Sequence, residues 1–189
     1  MRKIIAAFNM TIDGNCDHRE GLADEEIHEH YADLLTNSGV VLYGRKTYEL
    51  MQFWQDLVIH PSGEKSMDNF AGVMDRVPKI VFSHTLKTTN PMIIGWESAK
   101  LATRNLEEEV LALRQEAGKD ILVGSRSLII QLMNLNLIDE FQLCIHPVIA
   151  GKGLQLFENI NDKPILKLLK TKTFKGGAIT LYYKPTNKS

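Results

Sequence analysis

The sequence predicts an α/β fold: a mainly parallel sheet with helices on both faces, ending in an antiparallel hairpin. Three observations carry this. Short apolar runs, Val40-Val41-Leu42-Tyr43, Lys79-Ile80-Val81-Phe82 and residues 120–123, alternate with stretches of helical periodicity, as in strands covered on both faces. Later, Phe141, Leu143 and Ile145 alternate with Gln142, Cys144 and His146, the period-two pattern of a strand. Finally, Gly176-Gly177 joins two β-prone stretches, residues 165–175 and 178–184, as a tight hairpin turn would.

In chain order, residues 3–8 form the first strand and break into a polar loop of Asn9, Asp13, Gly14, Asn15 and Asp17. Residues 24–37 place Ile27, Tyr31, Leu34 and Leu35 at helical spacing. Asp24, Glu25 and Glu26 open that stretch, where carboxylates suit the helix dipole. The strand 40–43 ends at Gly44, a second short helix starts near Arg45, and residues 54–66 read as a loop before a helical piece over 64–76. After the strand 79–82 and the polar Ser83-His84-Thr85, residues 105–118 carry the stripe Leu106, Val110, Leu113 and Ala117, closed by a glycine. The strand 120–123 runs into Gly124-Ser125, and Leu128, Ile129, Leu132 and Met133 mark one more helix. No repeat, low-complexity tract or linker divides the chain, so a single domain over 1–189 is expected.

Composition narrows the partners. The 22 Lys+Arg nearly cancel the 23 Asp+Glu, so no overall basic field gathers nucleic acid or an anionic membrane, and a small-molecule partner is favoured. Cys16 and Cys144 stand far apart, outside any Cys-x-x-Cys pair, which argues against a disulfide framework or a zinc-thiolate site and fits a reducing cytoplasm. The apolar run after Arg2 and Lys3 is too short for a signal segment, and no stretch approaches a membrane span. A homodimer is expected, because symmetric pairs are the commonest assemblies.

Three strand ends share one character: Gly44-Arg45-Lys46-Thr47, Ser83-His84-Thr85 and Gly124-Ser125-Arg126-Ser127 all stop in small or polar residues. In an open parallel sheet such carboxyl ends lie along the rim where ligands bind. The first and third also open helices, whose free N–H groups and positive dipole end favour an anion, and Arg45 and Lys46 add charge. Together they favour a polyanionic dinucleotide. Gly-x-Gly-x-x-Gly is missing, since Gly151-Lys152-Gly153 continues as Leu154-Gln155-Leu156, and no Walker-type run exists. His28 and His30 point apart on a helix, read as surface residues and complete no metal site.

Five blocks, in order, resemble a known family: Ile4-Ile5-Ala6-Ala7 with Thr11-Ile12-Asp13-Gly14; Leu42-Tyr43-Gly44-Arg45-Lys46-Thr47-Tyr48-Glu49; Ile121-Leu122-Val123-Gly124-Ser125; Leu137-Ile138-Asp139-Glu140-Phe141; and Pro147-Val148-Ile149-Ala150-Gly151-Lys152-Gly153. They are similar to the C-terminal reductase domain of riboflavin-biosynthesis deaminase-reductases, within the dihydrofolate-reductase-like superfamily. The resemblance implies that fold without the deaminase half, NADPH as hydride donor, and a pyrimidine- or pterin-like substrate such as 5-amino-6-(5-phosphoribosylamino)uracil.

By position, the resemblance implies that Gly44, Arg45, Lys46 and Thr47 hold cofactor phosphates. Ser83, His84 and Thr85 would frame the adenosine 2′-phosphate, and Val123, Gly124, Ser125, Arg126, Ser127 and Leu128 would cradle the pyrophosphate. Ala7 would lie beside the nicotinamide. Asp13, His28 and Trp54 are the groups expected at the reacting end. Folate reductases carry an acid on the first long helix. Here that stretch reads Glu26-Ile27-His28-Glu29, with His28 nearest the position, which disfavours a folate reductase. Two alternatives stay open: a dihydrofolate reductase, and a non-catalytic nucleotide- or flavin-binding protein on the same fold.

Overall fold

The computed structural model of the chain describes residues 1–86 and 95–186. Its elements are β1 (Ile4–Thr11), α1 (Glu25–Thr36), β2 (Ser38–Gly44), α2 (Arg45–Ile59), α3 (Lys65–Arg76), β3 (Lys79–Phe82), β4 (Ala99–Leu101), α4 (Leu106–Gln115), β5 (Asp120–Val123), α5 (Arg126–Asn134), β6 (Glu140–His146), β7 (Leu166–Thr173) and β8 (Ile179–Pro185). The strands form one eight-stranded sheet in the order β4-β3-β2-β5-β1-β6-β8-β7. Every pairing from β4 to β6 is parallel, and β8 runs antiparallel to both β6 and β7.

Because strand side chains alternate, an unbroken apolar strand feeds two cores. Along β2, Val40 and Leu42 join Leu106, Val110, Leu128 and Leu132 of α4 and α5. Val41 and Tyr43 point the other way, toward Ala32, Leu35, Tyr48, Phe70 and Met74 of α1, α2 and α3. The two layers of helices expected from the sequence are therefore both present. Asp24 caps α1, accepting from Ile27 N–H at 3.0 Å, and Asn105 caps α4, accepting from Glu108 N–H at 2.9 Å.

Four expectations change. β1 continues through Asn9 to Thr11 instead of breaking at Asn9, because Phe8 and Met10 still pack on the α4–α5 side. α2 runs on to Ile59, so Trp54 sits on a helix and not in a loop. β4, with the pattern Ala-Lys-Leu, is too short to leave a periodic signal. The hairpin turn is longer than two residues: Phe174 N–H bonds Ala178 C=O, Gly177 N–H bonds Phe174 C=O, and Gly177 takes φ 86°. That is a three-residue loop whose last position needs a left-handed residue. The outer strand β7 is bulged between Leu168 and Lys170 and exposed from Lys167 onward.

Neither histidine of α1 lies on the surface. His28 is half-buried, while His30 is 7% exposed, packed 5.3 Å from both Tyr31 and Phe174, with the Lys172 ammonium 3.4 Å from its Nδ1. Burial, reinforced by Lys172, depresses the His30 pKa from 6.5 to about 4. The folded chain thus binds fewer protons than the unfolded one between those values, so stability is fully present above about 6.5 and is lost as pH falls toward 4. Burial lowers His28 and His146 in the same direction. We predict that His30→Gln flattens, without abolishing, the fall of the urea midpoint between pH 6.5 and 4. An unchanged slope would rule out His30 as a contributor.

Candidate active site

β5, near the middle of the sheet, stops short of both neighbours. It pairs with β1 only over Ile4 to Ala6 and with β2 as far as Leu42, ending at Val123. β1 continues to Thr11, paired there only with β6, and β2 reaches Gly44. A notch therefore opens on the carboxyl edge of the sheet, with the turn at Gly124 at its base and the free edge of β1 from Ala7 along one side. The chain leaves β1 toward the α1 face and β5 toward the α5 face, which makes this the switch point of the sheet.

Two helix N-termini meet at the base. Ser125, the residue preceding α5, does not cap its own helix; its Oγ accepts from Gly44 N–H at 2.9 Å. Gly44 in turn precedes α2 and has no side chain to cap it. Both first turns thus keep N–H groups that no cap satisfies, side by side at the positive ends of their dipoles. A Cβ on Gly44 would stand 3.3 Å from Ser127 Oγ, a measure of how close the two turns lie.

Over this seat, Arg45 Nη1 donates to Thr85 Oγ1 at 2.7 Å, and Arg45 Nε lies 3.5 Å from Glu49. Ser83 Oγ accepts from the N–H groups of Thr85 and Leu86, which folds the rim toward Arg45, while His84 and Lys46 are exposed. The structure thus joins the first two predicted clusters, Thr47 being half-buried in the same turn of α2. Ala7, Val123 and Leu128 are buried, so only their backbone can face a ligand.

Two residues have other work. A Cβ on Gly124 would meet Tyr43 Cε1 at 2.7 Å, so the buried Tyr43 ring by itself requires glycine here. Arg126 is committed through Nε to Gln155 C=O at 2.6 Å and through Nη2 to Glu158 at 2.5 Å. It fastens the segment after Gly153 to α5.

The three residues expected at the reacting end fall on two sides. His28 and Trp54 come together, with ring centroids 5.7 Å apart, and Phe70 packs 4.5 Å from Trp54. His28 Nδ1 is buried and has no hydrogen-bond partner among the described residues. Asp13 makes no contact with either. Its carboxylate accepts from Thr11 Oγ1 and from the N–H groups of Ala150 at 3.1 Å and Gly151 at 2.7 Å. The Thr11 hydroxyl, then those two amides, hold its pKa down to about 2. Asp13 is therefore a tether between the loop after β1 and residues 150–151.

Sequence reading missed a polar network on the α1 face. Asn9 Oδ1 accepts from Tyr31 Oη at 2.9 Å and lies 3.1 Å from His146 Nε2, while Leu22 N–H donates to His146 Nδ1 at 3.1 Å. The available signal was the alternation of Ala7, Asn9 and Thr11 with Phe8 and Met10, which continues the strand with a polar inner row. Two cavities, of about 220 and 350 Å³, lie elsewhere, and neither lining includes a residue of the two helix N-termini.

The chain is 33% identical over 186 residues to the uncharacterized protein YyaP of Bacillus subtilis, covering 96% of this chain and 94% of that one. Among solved structures it is similar to a protein assigned to riboflavin biosynthesis from Shewanella sp. PV-4, with a TM-score of 0.71 at 16% identity, covering 98% and 99% of the two chains. It is likewise similar to a pyrimidine reductase-like protein from Corynebacterium diphtheriae, with a TM-score of 0.69 at 17% identity, covering 99% and 93%. These likenesses show a shared fold. The family pattern of the RibD C-terminal domain matches residues 2–180, and the chain belongs to that family.

Proposed function

We propose that this chain is an NADPH-dependent reductase of a pyrimidine- or pterin-like heterocycle. The observation that carries the reading is the pair of uncapped helix N-termini at Gly44 and Ser125, locked together by the 2.9 Å hydrogen bond and overlooked by Arg45. Backbone N–H groups of two first turns match a pyrophosphate, which offers several acceptor oxygens and negative charge. Arg45, held by Thr85 beside His84, supplies a planar donor fork for one further phosphate, the group that separates NADPH from NADH. Family membership supports a reductase over a flavin carrier. The similarity to a pyrimidine reductase-like protein supports the heterocyclic acceptor.

Bound in this seat, the cofactor would supply the hydride. The chain's residues do the rest. The free edge of β1 at Ala7 orients a flat ring entering the notch. Trp54, His28 and Phe70 form an aromatic wall on the α1–α2 side, suited to a planar acceptor and to the exclusion of water. Asp13 stays ionised and bonded, so it positions the loop and delivers no proton. Burial lowers the pKa of His28, whose Nδ1 has no hydrogen-bond partner among the described residues.

The reading is tested by thermal shift with NADPH, NADH and FMN, and by loss of NADPH absorbance with 5-amino-6-(5-phosphoribosylamino)uracil and dihydrofolate. We expect a larger shift for NADPH than for NADH and turnover with a pyrimidine in preference to dihydrofolate. Stabilisation by FMN alone, without turnover, would favour a carrier. Arg45→Ala is expected to weaken NADPH by about 1.5–3 kcal/mol and NADH by less, as for a lost hydrogen bond to a charged group. Equal losses would move the phosphate elsewhere. Ser127→Asp separates a ligand seat from a merely structural turn. An added carboxylate in the first turn of α5 should stabilise the cofactor-free chain by about 0.3–1 kcal/mol. The same carboxylate should repel a pyrophosphate and weaken NADPH at least about tenfold. A variant that melts higher and still binds NADPH normally would show that nothing anionic docks there.

A further inference from the structure

We infer that Asn9 is a specificity-determining residue that reads a carbonyl oxygen on the heterocycle, an inference that rests on the reductase reading above. Leu22 N–H donates to His146 Nδ1 at 3.1 Å, so that nitrogen carries a lone pair and the imidazole proton sits on Nε2. Burial of His146, which is 1% exposed, keeps the ring neutral in this tautomer. Nε2–H then donates to Asn9 at 3.1 Å, and Tyr31 Oη–H donates to the same atom at 2.9 Å. An atom that receives two donors is the amide oxygen. The carboxamide of Asn9 is thereby held in one orientation, and its Nδ2H₂ group faces away from the network.

That NH₂ group has no hydrogen-bond partner among the described residues, and it is not sealed in the core. Asn9 lies two residues beyond Ala7 on the same face of β1, in the stretch that outruns β5. Tyr31 stands one helical turn from His28, so the amide and the aromatic wall border the same side of the notch. A fixed, unoccupied donor pair at the edge of a site for a planar ring selects an acceptor on that ring: an oxo group, not an amino group. Tyr31 and His146 are positioning residues, acting through Asn9.

The test exchanges donor for acceptor without disturbing the network. In Asn9→Asp one carboxylate oxygen still receives Tyr31 and His146, while the other presents an acceptor where the NH₂ group was. Calorimetry on the full chain, with and without saturating NADPH, compares 2-amino-4-oxopyrimidine with 2,4-diaminopyrimidine, and pterin with 2,4-diaminopteridine. The wild-type chain should prefer the oxo member of each pair at least about tenfold, the effect of one good hydrogen bond. Asn9→Asp should reverse the preference and Asn9→Ala should remove it. Tyr31→Phe should narrow it while NADPH affinity stays unchanged. If Asn9→Asp does not fold, as judged by its melting transition, Asn9→Ala decides. An oxo-to-amino ratio that is the same in the wild type and the variants overturns the inference, as does a wild-type chain that binds neither member of either pair. Preference for the oxo compounds with the predicted reversal but no NADPH binding would uphold Asn9 and reject the cofactor reading.

Discussion

The hydrogen bond from Gly44 N–H to Ser125 Oγ spans the seam between β2 and β5, and the carboxyl edge of the sheet is organised around it. A serine before a helix ordinarily bonds the second or third N–H of its own first turn. Here that hydroxyl is drawn sideways to the neighbouring strand, and α5 goes without its cap just as α2 does. The loss of local helix stability is offset by registry, because two parallel strands are fixed at the height where both chains turn into helices. Gly124 takes part through its N–H, which donates to Leu42 C=O at 3.2 Å, and through its missing side chain, which makes room for Tyr43 beneath the seam.

From that seam two sets of side chains diverge. Toward β3, Arg45 reaches the folded rim of Ser83 and Thr85. Toward β6, Asp13 and Arg126 tie down the segment that follows the sheet, one through the amides of residues 150–151 and the other through Gln155 and Glu158. Arg126 and Asp13 show charge engaged in positioning loops.

Most of the scaffold was legible because it depends on local pattern. The buried strands 79–82 and 120–123 were readable to the residue, since β-prone runs bounded by polar turns leave little freedom. Gly44, Arg45 and Ser125 were legible as a group because three successive strand ends shared a chemistry that a parallel sheet must gather on one edge. What escaped was whatever depended on distant partners. The contacts of Arg126 and Gly124 were hidden because Glu158 and Tyr43 are far away in sequence. Trp54 was misplaced because the polar residues around it masked the continuing helix. Asn9 looked like the end of a strand, since a polar residue at a buried edge and one in a loop read alike until a helix supplies Tyr31.

The notch exists because β5 ends at Val123 while β1 carries on to Thr11. Its depth is therefore a difference between two strand lengths, set by the hydrogen-bond ladder and not by any loop. Such a recess separates what can drift from what cannot. On the proposed function, the cofactor side would be written in backbone, and few substitutions could rewrite it. The acceptor side would be written in alternate side chains along one strand edge and one helix face, where a single exchange at Asn9 or His28 leaves the ladder intact. On the proposed function, a lineage built on this plan would change the compound it reduces by point substitution while inheriting its source of electrons unaltered.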